Sequence, residues 1–333
     1  MENNLFRGVI GQTKPKKEFE FYLESYKHTR IIPNFLVSAS KGGGKNTIIN
    51  AVVGGLYQFD LDGKPIMVPS KEDPALMVMK RKPVITIDCP KIKNIKGFFG
   101  IIHKYVHDKD VTVILDESSE LPRDVTMALL PILNPTPEHR SSFELDDYVY
   151  DFDFRRQSFF FATSEIHRMF HALVDRLERI TLEEYTLQEL AQIVQLGIPG
   201  VQCEDDVLLD VATVLRGNGR GAQKMAEKIA AYVRGGDTFF KEDWTKLKEI
   251  LSIYPLGLNA MEIQILRHLA SQPNGTSLTA LSAKTGLSRD AIQKDSELYL
   301  QKNSLMSIET TGRMITAEGQ DYLEKLQICS TKT

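Results

Sequence analysis

Phe35-Leu36-Val37-Ser38-Ala39-Ser40-Lys41-Gly42-Gly43-Gly44-Lys45-Asn46-Thr47-Ile48-Ile49 decides how the chain is read. A short apolar run, a glycine-rich turn with a lysine, and a second apolar run predict strand, loop and helix in that order. The pattern Gly-x-x-x-x-Gly-Lys-Ser/Thr in that setting wraps backbone N–H groups and a lysine around phosphates, while its hydroxyl holds magnesium. Gly44 and Lys45 satisfy the pattern; Ala39 stands in place of the first glycine, and Asn46 in place of the hydroxyl, with Thr47 one residue late. Gly42, Gly43, Gly44, Lys45, Asn46 and Thr47 are therefore the candidate phosphate contacts. The competing reading of this segment alone is a glycine-rich turn with a surface lysine.

Working outward, Phe19, Leu23 and Tyr26 recur at helical spacing before the strand. Residues 54–83 are broken by Gly54-Gly55, Asp62-Gly63, Pro65, Pro69 and Pro74 and suggest a hairpin or loop. Val84 to Asp88 predicts a strand, and Lys93 to Val106 an amphipathic helix. Val111-Thr112-Val113-Ile114-Leu115-Asp116-Glu117 then reads as a buried parallel strand delivering two acids to its carboxyl end, where open α/β sheets bind ligands. There Asp116 would hold magnesium, with Asn46 as a second candidate metal contact, and Glu117 would orient or deprotonate an attacking water. A solvated acidic turn is the alternative.

Leu121 to Leu133 predicts a helix, and the alternating stretch around Tyr148 to Phe154 a hairpin within 135–156. Ser158 to Ala162 is a further core strand. Its end, Thr163, is placed to reach a terminal phosphate or merely to cap the strand.

At 333 residues, with 42% hydrophobic and 26% charged residues, the chain predicts a multidomain globular protein rather than a disordered one. It has no run long enough to span a bilayer and no leader-like start, which predicts a cytoplasmic location. Cys89, Cys203 and Cys329 are too scattered for a disulfide framework or a zinc spacing. A formal charge of −3 leaves any nucleic-acid contact to a local patch or an oligomer.

The order of parts resembles a AAA+ ATPase, and more narrowly the RuvB branch-migration motors. Gly11-Gln12 is similar to their "VGQ" signature, placing Ile10 beside the nucleotide. Asp116-Glu117 resembles their Walker B acids, and Ala162-Thr163-Ser164 their sensor 1. Leu173-Val174-Asp175-Arg176-Leu177 is similar to "LRDRF", which implies an arginine finger at Arg176 acting on a neighbouring subunit. Arg216-Gly217-Asn218-Gly219-Arg220 resembles "RGTPR", which implies a second sensor at Arg220. The resemblance implies ATP or ADP with Mg2+ as cofactors and a homo-oligomer, hexamer-type ring. A RuvA-like partner is a further implication, although the 135–156 hairpin shares no convincing sequence with that family.

The fold class expected is α/β: a AAA+ P-loop domain with a parallel sheet (1–183), an all-α lid (184–253) and a winged helix (254–333). Lid helices are expected over Leu187 to Leu196, Asp205 to Leu215 and Gln223 to Val233, broken by Gly235-Gly236-Asp237. Gly286-Leu287-Ser288 reads as a helix-turn-helix hinge, and Glu309-Thr310-Thr311-Gly312 as a wing tip. Arg313 is the expected DNA contact, with Lys294 and Lys302 as weaker ones. The functional expectation is an ATP-driven motor on duplex or Holliday-junction DNA. The rival is a nucleotide-binding, weakly hydrolysing scaffold that recruits another protein, and a clamp-loader-like subunit is a third reading.

Overall fold

The computed structural model describes residues 4–60, 62–204, 206–234 and 238–330, with side chains from residue 5 to residue 326. The break expected at Gly235-Gly236-Asp237, the helix start at Asp205 and the side chain of Cys329 lie outside the described residues. The chain divides into two compact units: Met1–Pro199 with Gly217–Lys228, and Gly200–Arg216 with Ile229–Thr333.

In the first unit, helix α1 (Thr13–Thr29) leads to β1 (Phe35–Ser38), the glycine loop and α2 (Lys45–Val53). Two short strands, β2 (Met67–Pro69) and β3 (Met77–Met79), pair antiparallel, so the segment between α2 and the next core strand is a hairpin. Then come β4 (Val84–Asp88), α3 (Ile95–Tyr105), β5 (Val111–Asp116) and α4 (Arg123–Ile132). The expected second hairpin is present as β6 (Arg140–Leu145) and β7 (Tyr148–Asp153). β8 (Gln157–Thr163), the short α5 (His171–Val174), β9 (Glu178–Thr181) and α6 (Leu187–Gly197) follow.

β4, β5, β8, β1 and β9 form one parallel sheet in that order. Side chains of successive strand residues point to opposite faces, and the core is divided accordingly. Leu36, Val113, Leu115, Phe159 and Phe161 pack with Phe98, Phe99 and Leu129 of α3 and α4. Phe35, Val37, Ile114 and Phe160 pack with Phe19 of α1 and Ile48, Ile49 and Val52 of α2. Two covered faces explain why the central strands read as unbroken apolar runs instead of alternating ones. They also place the carboxyl ends of β1, β5 and β8 side by side, with Ser38 in register with Thr163.

The second unit contains β10 (Gln202–Cys203), α7 (Val207–Ala212), β11 (Thr238–Phe239) and α9 (Lys241–Ile250); α8 (Gly219–Val233) begins in the first unit and ends in this one. From Asn259 a winged helix follows: α10 (Ala260–Ala270), α11 (Leu278–Thr285), then a continuous helix made of α12 (Arg289–Ala291), a π-wound turn (Ile292–Glu297) and α13 (Leu298–Lys302). Asn259, Ser277 and Ser288 cap these helices by accepting from N–H groups of the first turn. The wing is β12 (Met306–Glu309) paired with β13 (Gly312–Ile315). Thr276 exchanges two backbone hydrogen bonds with Arg313, an isolated bridge alongside the two-stranded wing. That close approach requires Gly312, because a Cβ there would lie 2.6 Å from the Thr276 carbonyl oxygen. A final helix, α14 (Ala317–Ser330), closes the domain beyond the expected helices and hairpin.

Candidate nucleotide site

The site is built on the carboxyl edge of the sheet. β1 ends at Ser38, whose hydroxyl is hydrogen-bonded to that of Thr181 on β9, and the chain then loops back into α2. Gly42 and Gly44 have φ of 78° and 88°, a left-handed backbone that glycine adopts without strain. Side chains there would also collide, at Gly42 with Asn218 and at Gly44 with the hydroxyl of Tyr185. The loop therefore stays bare and close to its neighbours, and the first N–H groups of α2 are left facing its interior, an arrangement that suits phosphate.

Lys45 is the first residue of α2 and is only 8% exposed. Its Nζ donates to the Ala39 carbonyl at 3.4 Å. Burial holds the amine below its usual pKa, partly offset by Glu117 and Asp116 across the cavity. Anions brought to this amine would be met by a half-desolvated charge, stronger than one in water.

The cavity, about 630 Å³, is lined by Ile10, Lys41 to Thr47, Asp116, Glu117, Tyr185, Arg220 and Gln223, among others. The candidate phosphate contacts, the two acids Asp116 and Glu117, Ile10 and Arg220 thus come together in one place. Gln12 explains the placement of Ile10: its side-chain amide exchanges two hydrogen bonds with the backbone of Glu183, pinning the preceding strand of chain there. Arg220 forms no ion pair among the described residues and faces the cavity with its charge available.

Glu117 adopts a left-handed backbone, φ 51°, at the end of β5. Its carboxylate accepts from the Ser164 hydroxyl at 3.2 Å. Thr163 lies elsewhere: it is fully buried, and its hydroxyl accepts from the Glu165 N–H. Strand alternation turns Thr163 and Ser164 to opposite sides, so Ser164, absent from the predicted site, is the residue beside Glu117. Tyr185 and Lys41 were likewise missed; Lys41 was visible within the loop, whereas nothing in the sequence marks Tyr185.

Asp116 is engaged by Asn46, whose Nδ2 donates to Oδ2 at 3.1 Å. Where the resembling loops carry a hydroxyl that ligates magnesium, this one presents an N–H donor to the very carboxylate expected to assist. The glycine loop, Lys45 and helix start fit the phosphates of a nucleotide; the pair Asn46 and Asp116 does not fit magnesium.

Arg176 is exposed, and its guanidinium donates to the carbonyls of Leu130 and Ala172. It does not line the cavity of its own chain. In the winged helix, Arg313 does not project outward as expected. Its guanidinium makes a paired contact with Glu297, Nε to Oε1 at 2.7 Å, and its side chain is 14% exposed. Lys294 is exposed and paired with Asp290 at 3.2 Å; Lys302 is exposed at the end of α13.

Sheet, loop and acids define the class: a AAA+ P-loop protein with a C-terminal winged helix. Residues 255–324 match the family model described as the RuvB C-terminal winged helix domain. The chain is 21% identical over 328 residues to a "Holliday junction branch migration complex subunit RuvB" from Thermotoga maritima, covering 95% of this chain and 89% of that one. RuvB subunits from Wolbachia and Mycoplasma pneumoniae are 27% and 24% identical, over alignments that span about half of each. The solved Thermotoga maritima RuvB, a Holliday junction branch migration motor, superposes with a TM-score of 0.70 at 20% identity, covering 95% of both chains; at that identity the likeness concerns the fold. Within the AAA+ class, this chain is RuvB-like. No helix among the described residues is long and apolar enough to cross a membrane.

Proposed function

We propose that the chain is the ATP-hydrolysing subunit of an oligomeric DNA motor of the RuvB kind, acting on duplex or junction DNA. The observation that carries this reading is the convergence of Lys45, Glu117 with Ser164, and Arg220 on one cavity at the sheet's carboxyl edge. Lys45 and the N–H groups of the loop hold the phosphates. Glu117, oriented by Ser164, polarises the attacking water, and Arg220 stabilises charge on the transferred phosphoryl group. Arg176 serves a neighbouring subunit's nucleotide, which requires a ring or part of one. DNA contact falls to the exposed lysines of the winged helix, Lys294 and Lys302, while Arg313 supports the wing from behind. Turnover moves the lid (184–253) and winged helix (254–333) relative to the P-loop domain (1–183). ATP or ADP is the cofactor by likeness to the RuvB group, and a RuvA-like protein is a candidate partner.

The test is ATP hydrolysis with and without junction DNA, alongside Lys45→Ala and Glu117→Gln. DNA-stimulated turnover that both variants abolish supports the motor. Turnover no faster than in either variant sinks it. A second reading, a nucleotide-dependent scaffold that hydrolyses slowly and recruits another protein to DNA, is favoured by the hydrogen bond from Asn46 to Asp116. Nucleotide-driven oligomerisation without turnover distinguishes it.

A further inference from the structure

Asn46, an uncharged amide, donates to the Asp116 carboxylate, so the two residues expected to hold a metal are bonded to each other. Two N–H donors and a carbonyl oxygen make up the Asn46 head. The N–H side is the one turned to Asp116, because a carboxylate only accepts. Hydrogen bonds to ionised acceptors are among the strong ones in proteins. Magnesium entering here must displace that bond and turn the amide over. It must also build its octahedral shell without a loop hydroxyl at this position, although it sheds water reluctantly.

Positive charge is supplied from the chain instead. Lys41, Lys45 and Arg220 line the same cavity. Lys45 is buried and Arg220 has no ion-pair partner among the described residues, so both are placed to meet phosphate oxygens directly. Of the two acids, Asp116 is occupied by Asn46 and Glu117 by Ser164. Each donor moderates the repulsion its carboxylate would exert on an unscreened phosphate.

We infer that this site takes up its nucleotide free of magnesium, with Lys41, Lys45 and Arg220 meeting the phosphate charge and the Asn46 amide standing in for the metal at Asp116. The inference rests on the nucleotide-site reading and concerns binding, not turnover. It is tested by titrating the full chain with a fluorescent ATP analogue in excess magnesium and in EDTA. The expected result is two dissociation constants within about fivefold of each other. Asn46→Ser, a change at an exposed position, is expected to make magnesium tighten binding by more than that factor. Lys41→Ala is expected to weaken binding severalfold and equally in both buffers. A wild-type loss beyond about fivefold in EDTA overturns the inference, as does an Asn46→Ser chain that stays insensitive to the metal. Absence of binding in both buffers overturns the nucleotide-site reading itself, a separate outcome.

Discussion

The candidate nucleotide cavity and the winged helix spend their charges in opposite ways. Around the cavity, Lys45, Arg220 and Glu117 share one lining, and none of them is closed into an ion pair among the described residues. In the second unit the charged groups close on one another. Arg216 grips both oxygens of Glu262, donates to the Gly257 carbonyl and lies 4.1 Å from the ring centre of Tyr299. Glu262 also accepts from the Asn259 N–H that it caps, and Arg313 is paired with Glu297. Motif position does not separate these cases, for Arg216 and Arg220 belong to one five-residue motif. What separates them is whether a buried carboxylate has claimed the guanidinium: a claimed arginine fixes architecture, an unclaimed one is available to a ligand.

The largest effect should come from breaking a closed pair. Glu262→Ala leaves Arg216 partly buried beside Tyr299 without its carboxylate, and removing one partner of a buried pair costs about 3 kcal/mol or more. Denaturant unfolding of the full chain should show that loss. Arg216→Met with Glu262→Leu, which removes both charges, should recover most of it; equal loss in the double variant would show that the pair is not what holds the region.

Lys45→Ala should behave the other way. Nucleotide affinity should drop about 10- to 100-fold, the worth of one or more hydrogen bonds to a charged group. The unfolding midpoint should not fall, because a buried amine with a single long hydrogen bond contributes little to stability. A fall in the midpoint would place Lys45 with the architectural charges and blur the contrast.

Ser164→Ala is a finer probe. Losing a hydrogen bond of about 1 kcal/mol to Glu117 should slow hydrolysis about fivefold while leaving nucleotide affinity unchanged. An equal effect in Thr163→Ala would contradict the opposed orientation of the two residues.

The smallest effect concerns Cys89, which is fully buried, its thiol pushed up to about 12 chiefly by burial and then by Asp116, Asp88 and Glu117. Because the reactive form is the thiolate, iodoacetamide at pH 8 should leave Cys89 unlabelled in the native chain and label it after denaturation. Raising the pH toward 9 should barely change this, since the thiol remains protonated well below its pKa.

What the sequence disclosed follows the range of the forces involved. Strand, loop and helix at the candidate phosphate site were legible because apolar period and glycine punctuation act within a few residues, and the hairpin at 140–153 because alternation is equally local. The place of Ser164 beside Glu117 required only strand periodicity, which the reading of a whole three-residue motif passed over. Arg313 was different. Its fate depends on Glu297, which a π-wound turn and the wing bring to it from across the fold, and no local pattern reports that meeting. Tyr185 was invisible for the same reason. Arg216 carries no local sign of its role, since its partner Glu262 lies on the first helix of the winged helix.

The π-wound turn between Ile292 and Glu297 buries Ile292, Ser296 and Glu297 together. Its i→i+5 winding holds one residue more in the turn than an α-helix would. Deleting Gln293 would rewind the turn and rotate the helix before it by about 100° relative to the helix after it. The face carrying Arg289 would then be re-aimed while Leu300 stayed in the core. The wide turn thus sets the rotational offset between the two halves of the helix.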